Sequence, residues 1–334
     1  MRSNGLGGYT MNKSSKRKRV LVTGATGFIG SRLLEHLLEI DKYLITCSLR
    51  GERNLSAECG KYFTEVRKGS DWSRAIQKGQ IIIHLAARAH VVKEYSKDPL
   101  SEFRKVNVEG TLELARQAAA GGAKRFVFLS SIGVNGNSPS GPFTESDEAV
   151  PENDYAQSKL EAEIGLWGIQ RETGMEVVII RPPLVYGHDA PGNFKTMVKW
   201  IRQGIPLPLG SIENRRSLIA LDNLVDFIHT CMEHPAAANQ LFLVSDSEVI
   251  STTELLRDVG VAMGRPARLV PIPVALLKIA AKVVGKQRVA EQLLGSLEID
   301  NSKALKKLSW QPPLTTQNGL KACFTRRKSL DSNV

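Results

Sequence analysis

The chain has 334 residues and a formal net charge of +11, since 45 lysines and arginines outnumber 34 acidic residues. Its hydrophobic fraction of 42% allows a large core and excludes a disordered chain. The apolar runs are too short to span a bilayer, and the polar N-terminus lacks the pattern of a secretory signal. The four cysteines are scattered, so they indicate neither a disulfide framework nor a zinc site and favour a cytoplasmic location.

The positive charge is concentrated at the N-terminus, where residues 1–19 hold six basic residues and no acid. We expect a flexible basic tail there, followed by a folded body with a modest positive excess. Such an excess suits an enzyme of anionic substrates, so we expect no nucleic-acid partner. A basic tail also fits a nucleotide- or RNA-binding protein without catalytic activity, which remains an alternative of another class.

Strands alternate with helices over the first half of the chain. Apolar periodicity predicts helices from Ser31 to Glu39 and over residues 98–120, the second ending at a pair of glycines. This alternation predicts an α/β fold with a doubly wound parallel sheet and helices on both faces. Short apolar runs predict its strands at residues 20–23, 43–49, 65–66, 80–85, 125–129 and 175–180.

The pattern changes after about residue 185, where loops rich in proline and glycine separate shorter elements. It predicts a late strand from Leu241 to Val244, a helix over 253–263 and an amphipathic helix from Pro273 to Arg288. We therefore divide the chain into a basic tail (1–19), a dinucleotide-binding domain (20–185), a smaller substrate lobe with elements returning to that domain (186–325) and a final tail (326–334).

A glycine-rich turn joins the first predicted strand to the first helix. Gly24, Gly27 and Gly30 have the GxxGxxG spacing of a dinucleotide-binding loop. The first glycine permits a tight turn, the second lets the backbone approach a pyrophosphate, and the third lets helix and strand pack closely. The helix N-terminus then holds the negative charge, so we expect a dinucleotide cofactor here.

The end of the second strand distinguishes the two nicotinamide cofactors. NAD sites place an acid there for the ribose hydroxyls, whereas Ser48 and Arg50 occupy this part of the chain. Arg50, together with Arg53, would pair with the 2′-phosphate of NADP(H). We therefore favour NADP(H), while Glu52 leaves NAD(H) open.

Tyr155 and Lys159 are four residues apart, which places both side chains on one face of a helix. A tyrosine serves as an acid–base group near neutral pH when a cation lowers its pKa, and a lysine one turn away supplies that charge. Ser131 follows the predicted strand 125–129, at the edge of the sheet where ligands bind. The three side chains form a candidate catalytic set.

These residues belong to a series of motifs that appear in order. Beside the glycine loop and the Tyr155/Lys159 pair, the chain contains His84-Leu-Ala-Ala, Asn107-Val-Glu-Gly-Thr, Leu129-Ser-Ser and Arg181-Pro-Pro-Leu-Val-Tyr-Gly. Over about residues 20–325 the chain resembles the extended short-chain dehydrogenases/reductases, in their nucleotide-sugar epimerase, dehydratase and reductase branch. The resemblance implies a Rossmann fold, a nicotinamide cofactor, a UDP-linked sugar as substrate and a homodimer that pairs through helices 98–120 and 154–172.

The resemblance also implies roles for individual residues. Tyr155 is the implied acid–base group, Lys159 its partner and a ligand of the nicotinamide ribose, and Ser131 a hydrogen-bond donor to the sugar oxygen. Asn193, Leu207 and Arg216 are implied substrate contacts, with Arg216 on the diphosphate. Asn135 departs from the family pattern, which has tyrosine there. The implied cofactor-binding residues are Gly24, Thr26, Gly27, Phe28, Ile29, Arg50, Leu85, Ala86, Ala87, Tyr155, Lys159 and Pro182.

The reaction implied by the resemblance is hydride transfer at C4 of a nucleotide sugar. Because Ser48 and Arg50 stand where an acid is expected after the second strand, we favour a reductase that consumes its cofactor in each turnover. The chain is similar to surface-polysaccharide enzymes that reduce UDP-2-acetamido-2,6-dideoxy-4-hexulose to UDP-N-acetylquinovosamine or its C4 epimer. A UDP-glucose or UDP-N-acetylglucosamine 4-epimerase is the alternative. The amphipathic helix at 273–288 either packs on the lobe core or makes a weak contact with an anionic membrane surface.

Overall fold

The computed structural model of the protein describes residues 17–52, 55–89, 98–137, 141–285 and 287–325. Most of the predicted basic tail, the tail at 326–334 and Arg53 lie outside these ranges. Within them, buried apolar runs form strands. In chain order the strands are β1 (Lys18–Thr23), β2 (Tyr43–Leu49), β3 (Gly60–Phe63), β4 (Ile81–His84), β5 (Arg125–Leu129), β6 (Glu176–Arg181), β7 (Leu184–Tyr186), β8 (Arg216–Ala220), β9 (Gln240–Leu243) and β10 (Val249–Ile250).

Seven of these strands form a parallel sheet in the order β3-β2-β1-β4-β5-β6-β9. The chain winds outward from β1 to β3 and then crosses over to β4 on the other side of β1. The carboxyl ends of β1 and β4 therefore meet at the topological switch point, where ligands bind in open α/β sheets. The predicted doubly wound fold is confirmed.

The helices follow from apolar periodicity interrupted by glycine and proline. In chain order they are α1 (Phe28–Ile40), α2 (Pro99–Arg104), α3 (Thr111–Ala120), α4 (Asp154–Thr173), α5 (Asn193–Gln203), α6 (Leu221–Glu233), α7 (Thr252–Ala262), α8 (Val274–Val283), α9 (Gln287–Leu294), α10 (Ser302–Leu308) and α11 (Thr316–Phe324). A π-helical segment, Lys105–Gly110, joins α2 to α3, so the predicted helix at 98–120 is continuous but wider in its middle.

Alternate residues of the sheet strands serve two separate cores. In β1, Val20 and Val22 face a layer built from α1, α6 and α10, whereas Leu21 faces α3 and α4. The other strands follow the same alternation because successive side chains point to opposite faces. The strands are apolar on both faces, which is typical of a parallel sheet covered by helices on both sides.

A smaller lobe contains the sheet β10-β8-β7 and a third apolar core. The core takes side chains from α5, α7 and α11, among them Phe194, Leu256 and Leu320. Strand β9, which lies between parts of the lobe in the chain, returns to the edge of the large sheet. Two residues separate the end of β6 from the start of β7, so the lobe joins the large sheet at the carboxyl end of β6.

Two sequence predictions about elements are wrong. The third strand is Gly60–Phe63 and not residues 65–66, because the register that pairs Leu49 with Phe63 ends β3 there. The helix predicted from Pro273 to Arg288 is divided into α8 and α9, since the chain turns at Gly285 with a φ of +66°.

Candidate active site

The turn between β1 and α1 forms a close-fitting cradle. Gly24 has a φ of +72°, and a Cβ there would lie 2.7 Å from the backbone nitrogen of Ala86 after β4. A Cβ at Gly30 would lie 2.1 Å from the carbonyl oxygen of Gly24. Gly27 caps α1 without a side-chain hydrogen bond, so the amides of its first turn remain available. The missing Cβ atoms at Gly24 and Gly30 therefore permit the tight turn and the close packing that the spacing predicts, while contact of Gly27 with a pyrophosphate remains a prediction.

This cradle fits a dinucleotide. Uncapped helix amides bind phosphate oxygens, and the missing Cβ atoms leave room for the backbone to approach a pyrophosphate. Thr26 and Gly27 are exposed at its rim, and Phe28 and Ile29 begin α1. Leu85 and Ala86 lie opposite, where their amides donate to the carbonyl and hydroxyl oxygens of Thr23.

His84, at the end of β4, is a fully buried link beneath the cradle. Its Nδ1 lies 2.7 Å from the hydroxyl of Thr23 and its Nε2 2.9 Å from the hydroxyl of Thr111. Burial, with a smaller effect from Lys159, lowers the pKa of His84 to about 3. The imidazole is therefore neutral and binds β1 to α3, and does not act as an acid–base group near neutral pH.

Asn107 holds the loop after β4 in place. Its amide oxygen accepts from the backbone nitrogen of Arg88 at 2.8 Å, and its amide nitrogen donates to the carbonyl of Arg88 and to the hydroxyl of Ser158. The widened π-helical turn carries this side chain, which is fully buried. Asn107 therefore positions the cradle loop against α4.

At the end of β2, Ser48 and Arg50 stand where an acid was expected, and Glu52 follows two residues after Arg50. Ser48 is buried within the strand, paired in register with Thr23 beside the glycine turn. Arg50 follows the strand and is exposed. Among the described residues, no carboxylate pairs with its guanidinium. Asp71 is exposed and accepts a hydrogen bond from the backbone nitrogen of Ser73.

The candidate catalytic serine lies just beyond β5. Ser131 caps the short helical turn 132–134, and its oxygen accepts from the amide of Gly133 at 3.2 Å. This contact uses a lone pair and leaves the hydroxyl proton available for a substrate oxygen. Pro182, after β6, accepts a hydrogen bond from Ile132 and so fixes the same turn.

The turn that carries Ser131 packs on the first turn of α4. A Cβ at Gly133 would lie 3.4 Å from Ser131 Oγ and 3.5 Å from Ala156 Cβ, next to Tyr155. One helical turn later, Lys159 Nζ lies 4.0 Å from the ring centre of Phe128 on β5. The fold thus brings Ser131, Tyr155 and Lys159 to the carboxyl end of β5, as their spacing predicts.

The two ionisable groups of this set differ from the expectation. Burial raises the pKa of Tyr155 to about 12, opposite to the lowering that we expected from Lys159, because desolvation disfavours the phenolate. Burial lowers the pKa of Lys159 to about 7, although the Glu163 carboxylate acts in the opposite direction. Tyr155 is therefore protonated at neutral pH and ready to donate.

A buried ionic network below the catalytic set was not predicted. Glu163 accepts from the guanidinium of Arg181 and from the hydroxyl of Ser130, while Arg181 also donates to Asn135 at 2.8 Å. The four groups join α4, β5 and β6 at the residue next to Ser131. The sequence places Glu163 one helical turn after Lys159 and so on the same face of α4, but it does not show that Arg181, on another element, is the partner of Glu163.

Arg216, the implied ligand of the diphosphate, lies in the smaller lobe. Arg216, at the start of β8, donates to the carbonyl of Gln292 within α9 at 2.7 Å and to the carbonyl of Gly295, just after α9, at 3.0 Å. Among the described residues no acid pairs with it: Asp222 pairs with Arg32, and Asp226 accepts from Trp310.

Leu207 and Asn193, the other implied substrate contacts in this lobe, differ in their surroundings. Leu207 is buried in the lobe core, and its backbone pairs with the segment at Leu269. Asn193 is exposed at the start of α5, with its amide 3.4 Å from Gln292. Their contact with substrate remains a prediction.

Comparison with known proteins identifies the family. Residues 20–244 match the model of the NAD dependent epimerase/dehydratase family. The chain belongs to this family. It is 40% identical over 307 residues to a UDP-glucose 4-epimerase of Vibrio cholerae, covering 91% of this chain and 94% of the relative.

Solved structures of members with similar names have the same fold as this chain. The UDP-glucose 4-epimerase of Thermotoga maritima, solved with UDP-glucose, has a TM-score of 0.73 at 23% identity and covers 92% of this chain and 97% of its own. A UDP-glucuronic acid 4-epimerase of Bacillus cereus in complex with NAD has a TM-score of 0.74 at 20% identity, covering 92% and 95%. The predicted family, fold and enzymatic nature are confirmed.

Proposed function

We propose that the protein reduces the C4 ketone of UDP-2-acetamido-2,6-dideoxy-hexulose to UDP-N-acetylquinovosamine or its C4 epimer. The proposed cofactor is NADPH, with NADH as the alternative, and it supplies the hydride to C4 when bound. The product would serve surface polysaccharide synthesis in the cytoplasm. The observation that carries this proposal is the end of β2, where an exposed Arg50 stands in place of an acid.

The chain's own residues supply the proton and the orientation. The hydroxyl of Ser131 donates a hydrogen bond to the C4 oxygen and so polarises the ketone. Tyr155 donates its proton to that oxygen as the alcohol forms, and solvent returns the proton afterwards. Tyr155 enters this reaction as the protonated phenol, since burial raises its pKa to about 12. Lys159 stabilises the phenolate that results.

A diphosphate-linked substrate is supported by Arg216. Its guanidinium contacts only carbonyl oxygens among the described residues, so its charge is not neutralised by an acid there. Burial lowers the pKa of this group, and a diphosphate would offset that unfavourable desolvation with charge-assisted hydrogen bonds. UDP is the nucleotide implied by the names of the relatives.

The second candidate is a UDP-glucose or UDP-N-acetylglucosamine 4-epimerase. The name of the Vibrio cholerae relative favours it, at 40% identity over nearly the whole chain. An epimerase uses the same three residues but must retain its oxidised cofactor through two opposite hydride transfers. The missing acid after β2 favours an exchangeable cofactor and therefore the reductase.

One assay separates the two candidates. The purified protein is mixed with the UDP-4-keto sugar and NADPH or NADH, and absorbance of the reduced nicotinamide is followed together with product analysis. Stoichiometric oxidation of the cofactor supports the reductase. Interconversion of gluco and galacto UDP-sugars without net oxidation would instead establish the epimerase, and salt-sensitive RNA binding without turnover would exclude both.

We also propose a homodimer that pairs through the helical face of residues 98–120 and 154–172. The exposed Ile164 supports this face, since 60% of its surface is accessible in the single chain. Replacing Ile164 by Glu should convert the dimer to a monomer in light scattering. A dimer that persists in this variant would place the subunit interface elsewhere.

A further inference from the structure

Helix α8 presents one apolar side to the lobe and another to solvent. Its inner side chains, Val274 and Leu277, pack against the lobe core. On the opposite side the exposed fractions are 55% for Leu276, 61% for Ile279 and 81% for Val283. The prediction that this helix packs its apolar face on the core is therefore only half right.

The exposure is concentrated in one part of the chain. Of the eleven large hydrophobic residues that the described chain exposes, six lie between residues 259 and 290. Single exposed apolar side chains are ordinary on a soluble protein, whereas a group of them marks an interaction surface. The six are Val261, Val270, Leu276, Ile279, Val283 and Val284.

The charge of the same segment is of one sign. Residues 259–290 contain six lysines and arginines and no aspartate or glutamate. Lys278 and Lys282 lie one turn apart on α8, beside the exposed apolar stripe, and both are exposed. Lysines in this position keep their ammonium groups at an anionic boundary while the neighbouring apolar side chains enter it.

The positive charge of this segment indicates which kind of partner the exposed surface of α8 would bind. A second copy of the chain would bring the same lysines together across a two-fold axis, because a symmetric contact uses the same patch twice. A transmembrane role is excluded for α8, whose ten residues extend only about 15 Å. In the described part of the chain, no helix meets the length and hydropathy needed for a span. An anionic bilayer surface complements both the lysines and the apolar stripe.

We propose that α8 docks on the surface of an anionic lipid bilayer, with Leu276, Ile279 and Val283 entering the interface and Lys278 and Lys282 contacting the headgroups. The inference does not depend on which sugar is the substrate. Helix α8 packs against α9, whose C-terminal carbonyls bind Arg216. Docking would therefore turn the substrate lobe toward the membrane surface.

Vesicle binding tests this proposal with the full-length protein. The protein is sedimented with vesicles of phosphatidylcholine alone or with about one third phosphatidylglycerol, at low and high salt. We expect binding to the anionic vesicles only, weakening as salt rises. The variants Leu276→Ser/Ile279→Ser and Lys278→Glu/Lys282→Glu should each reduce partitioning about tenfold or more.

The control is Val150→Ser, because Val150 is 56% exposed but lies outside the basic segment, and it should bind vesicles as the unchanged protein does. Melting curves and elution volumes establish that every variant is folded. If the α8 variants bind as well as the unchanged protein, other basic residues hold the vesicles and the proposal is wrong. If no vesicles are bound and Leu276→Ser/Ile279→Ser instead abolishes self-association, the surface is a contact between copies.

Discussion

At the scale of single residues, Tyr155 and Ser131 have separate tasks. Ser131 accepts a backbone hydrogen bond that fixes its oxygen, while the hydroxyl of Tyr155 makes no hydrogen bond to another described residue. The edge of the Phe103 ring packs near the Tyr155 ring, with centres 6.1 Å apart. The phenol is therefore held by packing, and its hydroxyl stays available for a substrate oxygen.

Replacing Tyr155 by Phe should remove the proton donor and leave the ring packing intact. We expect kcat to fall about 10²–10⁴-fold while the dissociation constant of the cofactor changes little. Steady-state kinetics and cofactor fluorescence measure the two quantities. Tyr43→Phe is the control, since Tyr43 lies at the amino end of β2, far from the site, and bonds His229 and Glu233 there. Near-normal turnover in Tyr155→Phe would refute the assigned role.

Replacing Arg50 by Glu should change the cofactor preference. The substitution removes a guanidinium that pairs with the 2′-phosphate and introduces a carboxylate that repels it. The dissociation constant of NADPH should therefore rise about tenfold or more, and that of NADH much less. The control Arg171→Glu makes the same charge change near the C-terminus of α4. An equal effect of Arg50→Glu on both cofactors would mean that this guanidinium does not contact the 2′-phosphate.

At the scale of elements, α4 is the helix that joins the site to the core. It carries Tyr155, Lys159 and Glu163 at intervals of four residues, and the last of these binds Arg181 in the buried network. Two residues before Glu163, Glu161 forms an exposed pair with Arg104. The same helix therefore offers a buried and a surface ion pair of similar geometry.

This pairing gives a matched comparison of stability. Glu163→Gln leaves the guanidinium of Arg181 buried without a counter-charge and should lower the free energy of unfolding by about 3 kcal/mol. Glu161→Gln removes a solvent-screened pair and should cost less than about 1 kcal/mol. Urea unfolding of both variants provides the measurement. Similar small losses in the two would show that the network contributes little to stability.

The elements also show what sequence reasoning reaches and what it misses. Most of the sheet, the glycine turn and the spacing of Tyr155 and Lys159 follow from local patterns, because period and turn chemistry are local properties. The place of β3 does not, since its register depends on pairing with β2. The ion pair of Glu163 with Arg181 and the exposure of α8 likewise depend on residues distant in the chain.

At the scale of the whole molecule, three histidines make stability depend on pH. Burial lowers the pKa of His84 to about 3 and also lowers the pKa values of His36 and His229, which contact each other between α1 and α6. The unfolded chain protonates these groups near their ordinary pKa of about 6.5, while the folded chain resists protonation. Their contribution is therefore complete above pH 6.5 and is lost as the pH falls.

His84 allows a quantitative test of this dependence. As the pH falls from 6.5 to 5, the excess of protons bound at His84 by the unfolded state rises from about one half to nearly one, so this residue alone lowers the free energy of unfolding by up to about 1.4 kcal/mol per pH unit. His84→Asn should be less stable at every pH, but its stability should fall less steeply by about that amount. The exposed His188, replaced in the same way, serves as the control for a histidine substitution at the surface. Urea unfolding at several pH values in this window measures all three slopes, and the same slope in His84→Asn as in the unchanged protein would mean that this histidine is not held neutral by burial.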